Sequence, residues 1–179
     1  MHDVLEGLEE HGGHGENQLT LPVTVTLSIL AVLVAMVTLL GHRAHTEELL
    51  LQAKASNQWV YYQAKSIRSR QMQNDADLLA TLAPADKEQA EAVHEKYSQE
   101  AERYEKEKDQ ISEQATDFEK ERDRVARRAD RYDAGEVFLE IGLIICSFTL
   151  LTKKKGFWFA GMLLGVVGVI TAASGFLLH

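Results

Sequence analysis

Two pairs of polar residues in this 179-residue chain have spacings that could support chemistry. His42 and His45 stand one helical turn apart, with Glu48 a turn further on. Imidazoles at i and i+3 can share a metal ion. No third firm ligand accompanies them, so they read as a polar helix end, and the sequence calls for no metal and no cofactor. Glu136 and Glu140 form the second pair, at the entry to an apolar block. An ionisable residue at membrane depth is a functional hypothesis by default, which makes these two the candidate ion site. A carboxylate so close to the boundary also reaches headgroups or Arg131, and that structural reading stands beside the first. His11 and His14 lie in a Gly-rich acidic tail. No nucleophile elbow, phosphate loop, paired catalytic acids or Cys ligand set is present. The chain is therefore not read as an enzyme.

The elements that would position these residues follow from how the apolar residues are blocked. The formal charge is −8, yet residues 19–41 carry no charge at all. Such a run is long enough to cross about 30 Å of hydrocarbon as a helix. No Lys or Arg precedes it and its apolar core is too long for a cleaved signal. Pro22 is placed at its opening, where a missing N–H does no harm. Residues 136–152 form a second, shorter block, residues 153–156 a basic turn, and residues 157–178 a third block. The expected fold is an all-α membrane protein. Three transmembrane helices carry a long antiparallel coiled-coil helical hairpin between the first and the second. Residues 1–18 are expected to be disordered. The lone Cys146 lies in the second block and can form no internal disulfide.

Residues 42–135 are rich in Ala, Glu, Lys, Gln and Arg, which favours long helices. Pro84 marks a turn near 83–86, with Asp86 and Gln89 spaced as a capping box. In the second arm Ala90, Tyr97, Tyr104, Ile111, Phe118, Val125 and Tyr132 recur every seven residues. The interleaved positions are His94, Ala101, Lys108, Ala115, Arg122 and Ala129. A pattern held over about six heptads is specific for a coiled coil. The second row alternates alanine with a basic residue whose stem can lie along the seam. The first arm offers a weaker stripe, Leu50, Ala53, Asn57, Val60, Ala64, Ile67, Gln71, Asn74 and Leu78, which is expected to be its side of the seam. Trp59 and Tyr62 fall on one flank of that stripe and Tyr61 on the other. One flank can cover the seam inside the chain. The trio is the candidate oligomer or partner interface, since Trp and Tyr anchor interfaces. A membrane interface, an external partner or a ligand are the alternatives.

Small residues line all three apolar blocks. They are Gly161, Gly165, Gly168, Ala172 and Gly175 in the third, Thr24, Ser28, Ala31, Ala35 and Thr38 in the first, and Gly142, Cys146 and Thr149 in the second. Such stripes let helices approach closely in lipid, within one subunit or between subunits. The Arg cluster from Arg122 to Arg131 is interspersed with acids. It reads as charge pairing and headgroup contact, not as a nucleic-acid surface. The signals for sidedness conflict. The leading tail, which has no Lys or Arg, and the Arg cluster favour a cytoplasmic hairpin, and the Lys153–Lys155 turn opposes it. The balance tips slightly to the cytoplasmic side.

The stretches "GHRAHTEELLLQAKASNQWVYYQAKSIR" and "LTKKKGFWFAG" resemble the bacterial membrane proteins of domain-of-unknown-function family 4337. The resemblance covers nearly all of the chain after the tail and is most specific from Asn57 to Arg68. It implies a multi-pass protein of the bacterial inner (cytoplasmic) membrane with this order of helices, and no activity. The functional expectation is a homo-oligomeric scaffold whose partners are the lipid bilayer, further copies of itself and a possible unknown protein. The alternative is a subunit of an ion channel or pore, with Glu136 and Glu140 near its mouth.

Overall fold

The computed structural model describes residues 14–81 and 87–177, with side chains from Thr20 onward. It consists of three long helices, with no strand among the described residues. Helix α1 spans His14–Thr81, α2 spans Lys87–Thr152 and α3 spans Lys155–Ser174, followed by a 3₁₀ turn at Gly175–Leu177. Their length follows from composition. Residues 42–81 and 87–134 contain neither Gly nor Pro, so nothing interrupts the hydrogen-bond ladder. All three helices include a stretch long and apolar enough to cross a membrane. The expected turn near 83–86, with Pro84 and Asp86, lies outside the described residues.

Two boundaries differ from expectation. Helix α1 begins at His14, ahead of the apolar run, so the last residues of the tail are helical and residues 1–13 lie outside the described part. Pro22 therefore sits inside α1 and does not open it. Its missing N–H removes one bond of the ladder near that end.

The chain divides into two compact units. An apolar unit joins the residues up to Thr46 with those from Arg124 onward, and a polar unit comprises Glu47–Asp123.

The apolar unit is built on close backbone approach between α2 and α3. A Cβ on Gly135 would lie 2.7 Å from the Ala172 Cβ, and one on Gly142 would lie 2.8 Å from the Gly161 carbonyl oxygen. One on Gly168 would meet the Gly135 carbonyl at 2.8 Å. Partner numbers fall along α3 as they rise along α2, so the segments run in opposite directions. Gly161, Gly165, Gly168, Ala172 and Gly175 are all buried. Gly165 receives the Leu30 side chain of α1, and Gly175 faces the ring of Tyr132. The stripe thus makes close contacts with α1 and α2 of its own chain. The stripe proposed for α1 behaves differently. Thr24, Ser28, Ala31 and Ala35 are exposed, and the buried α1 positions of this unit are Val23, Leu30, Val37 and Ala44, spaced seven apart, together with Gly41. Large apolar side chains such as Leu21, Val32, Leu163 and Ile170 cover the outside.

The polar unit pairs a bulky surface on α2 with a shallow one on α1. Ala101, Ile111 and Ala115 of α2 are buried, and Tyr97, Tyr104 and Phe118 are half-buried. On α1 the buried residues are Leu51, Ala55, Ser69 and Ala76. The stripe expected for α1, from Leu50 to Leu78, is exposed throughout. The correction has a steric cause. The row through Ala55, Ser69 and Ala76 leaves room for the rings on α2, with Tyr62 half-buried in the same row, whereas a row of Leu, Val and Ile would hold the helices further apart.

Candidate functional site

The densest set of polar contacts lies along the polar unit, where α1 and α2 run antiparallel. Ser69 is fully buried. Its hydroxyl donates to Glu105 Oε1 at 2.9 Å and lies 3.3 Å from the Ala101 carbonyl oxygen. Lys65 donates to Glu107 while its Nζ lies 4.9 Å from the centre of the Tyr104 ring and 5.3 Å from that of Tyr61. Lys108 pairs with Glu105 and lies 5.7 Å from the Tyr62 ring. An ammonium held over ring faces and bonded to a carboxylate keeps its charge while its stem covers apolar surface.

These pairs shift titration in matched directions. The Glu107 carboxylate holds Lys65 above the ordinary lysine value, and Lys65 holds Glu107 below the ordinary carboxyl value. Lys108 pulls Glu105 down, helped by the Ser69 hydroxyl, and Glu105 raises Lys108 in return. Nearer the unit's end Arg122 donates to Gln52 Oε1 at 2.5 Å and to Asp123, whose carboxylate raises it further.

The aromatic trio is split by the structure. Trp59 is half-buried and its indole N–H donates to Glu119 Oε1 of α2 at 2.8 Å. Tyr62 packs edge-on against it at 5.5 Å and faces Lys108. These two residues are spent inside the chain, because the α2 surface they meet is charged at its margin. Tyr61 alone turns outward, 50% exposed. Of the seam residues on α2, Val125 and Tyr132 lie in the apolar unit and are buried there.

In the apolar unit Glu136 accepts a 2.5 Å hydrogen bond from the Thr38 hydroxyl of α1. Glu140 is exposed. The two carboxylates share a helix without sharing a site. His45 Nε2 meets Asp133 at 3.0 Å, beside Gly41, whose absent Cβ leaves room for that carboxylate. His42 is exposed and stands apart from this contact. His11 lies outside the described residues. Among the described residues no group of three or more His, Cys, Asp or Glu is arranged to hold a metal. Trp158 donates to the Thr26 hydroxyl at 3.1 Å, tying α3 to α1.

Several of these partners escape a reading of the sequence. Thr38, Asp133 and Thr26 look like ordinary small polar residues, and each acts through a neighbour about ninety or more positions away. Ser69 had a usable signal, since it falls seven residues from Tyr62 and from Ala76.

Residues 19–178 match the family described as "Domain of unknown function (DUF4337)". The chain belongs to that family. The match spans the three helices of this DUF4337 protein, including both units. No curated protein and no solved structure matches it.

Proposed function

We propose that this DUF4337 protein is a membrane scaffold that works as a homo-oligomer. The three apolar segments anchor it in a bacterial inner membrane, and the polar unit is an antiparallel coiled-coil hairpin held outside the bilayer, on the cytoplasmic side. One observation carries the reading. The most elaborate polar chemistry of the molecule, from Trp59–Glu119 through Lys65–Glu107 to Ser69–Glu105, joins one arm to the other. Its groups fix a register, with rings closing over the ammonium groups. The outward apolar surface of the other unit suits lipid. Light scattering of the detergent-purified protein, with detergent mass subtracted, tests it. A discrete multimer is expected, and a monomer at every concentration would refute self-assembly.

The conductance reading has less support. Glu136 is engaged with Thr38 and Glu140 points elsewhere. If Glu140→Gln reduced ion flux in liposomes, that reading would take the lead.

A further inference from the structure

In the polar unit the exposed large apolar side chains are Leu49, Leu50, Val60, Tyr61, Ile67 and Leu78, all on α1. Among the described residues α2 contributes none up to Asp123. The outward face of α1 has two rows. Leu50, Asn57, Ala64, Gln71 and Leu78 form one, and Ala53, Val60, Ile67 and Asn74 form the other, three positions on. All are exposed and none is charged. The corresponding outward face of α2 carries Lys96, Arg103 and Asp117 in one row and Lys106, Glu113 and Lys120 in the other. Solvation therefore explains the outside of α2 and leaves that of α1 unexplained.

We infer that the outward face of α1 is a second seam, occupied by the same face of a second copy of this chain, parallel and in register. The inference rests on the proposal that the protein self-associates, and it names the surface. Three features select this occupant. Parallel pairing sets Asn57 against its own equivalent and Gln71 against its own, so each amide finds a donor and an acceptor. Antiparallel pairing sets one row against the other and buries Gln71 against Ala53 or Val60. Polar residues at core positions are a known device for fixing register, and this seam holds three, Asn57, Gln71 and Asn74. The flanks are complementary as well. Arg70 and Asp75 are five residues apart on opposite margins, the separation at which margins meet across a parallel pair, and the contact forms twice by symmetry. Ala53 and Ala64 let the backbones come close.

The test uses the full chain with Cys146→Ser and one new cysteine at a time, Asn57→Cys or Gln71→Cys, under mild oxidation in detergent and in vesicles. Each variant is expected to form a disulfide-linked dimer, with Lys106→Cys on the outside of α2 forming none. Val60→Glu with Ile67→Glu, which alters exposed residues and should spare the protomer's helicity, is expected to reduce the particle to half its mass or less. If the mass shows a multimer but neither cysteine cross-links and the double glutamate leaves the mass unchanged, this seam is overturned while self-assembly stands. If Asn57→Cys cross-links only to a chain carrying Asn74→Cys, the parallel arrangement is overturned. A monomer overturns both.

Discussion

Replacing Ser69 by alanine isolates the contact on which the polar unit's register depends. The side chain is fully buried, and its hydroxyl donates to a carboxylate that also pairs with Lys108. A hydrogen bond to a charged partner contributes about 1.5–3 kcal/mol. The lower end applies here, because Glu105 is 40% exposed and keeps its lysine. A loss of about 1.5 kcal/mol lowers the melting temperature of a chain this size by roughly 3–6 °C. The effect should depend on pH. Glu105 is held below its reference value of 4.5, so its stabilising contribution is present above that value and lost as pH falls through the folded-state value. The gap between wild type and Ser69→Ala should thus be full at pH 7 and shrink once the medium is acidic enough to protonate Glu105. Thermal melts followed by circular dichroism at both extremes measure it, with Ser98→Ala, an exposed serine on α2, as the control. A gap that stays equal from pH 7 to the acid side of the Glu105 transition would show that the hydroxyl only fills space. No gap at either pH would remove Ser69 from the seam.

Gly135→Ala places a methyl 2.7 Å from the Ala172 Cβ and 2.8 Å from a backbone oxygen, neither of which can rotate away. A destabilisation of about 1–3 kcal/mol is expected, seen as a lower melting temperature in detergent. Lys153 holds φ at 56° after the end of α2, so Lys153→Gly should stabilise the protein by roughly 1 kcal/mol, visible in the same assay. The buried Thr149 hydroxyl has no hydrogen-bond partner among the described residues. Thr149→Val should raise stability by about 1 kcal/mol or more, and a lower melting temperature would mean that the hydroxyl is satisfied.

Large residues made the α2 side of the polar unit legible, because rings repeating every seven positions in a charged helix have no other easy explanation. The α1 side was not legible for the converse reason. Its inward row is Leu51, Ala55, Ser69 and Ala76, and a stripe holding Leu50, Val60 and Ile67 looked more like a core. Choosing by bulk picks the wrong face whenever the partner supplies the bulk. In the apolar unit the row Val23, Leu30, Val37 was hidden because its neighbours are equally apolar. The glycines of α3 could be read as a packing surface from spacing, but their partners Gly135 and Leu139 could not, since a sequence does not say which backbone a bare Cα will touch. The pairing of Glu136 with Thr38 joins residues 98 positions apart and leaves no local trace.

The alternation of alanine with a basic residue along α2 has a consequence for how this arm can change length. Sliding the arms by one seven-residue step would put Lys108 where Ala101 now faces the buried Ser69, and an ammonium would enter a space that excludes water. The chemical repeat is thus fourteen residues, about 21 Å of helix, although the geometric repeat is seven. An arm ruled in this way has a coarse gauge and a fine one that agree only at every second mark. A seven-residue insertion or deletion in one arm alone should therefore be rejected, and a fourteen-residue one tolerated.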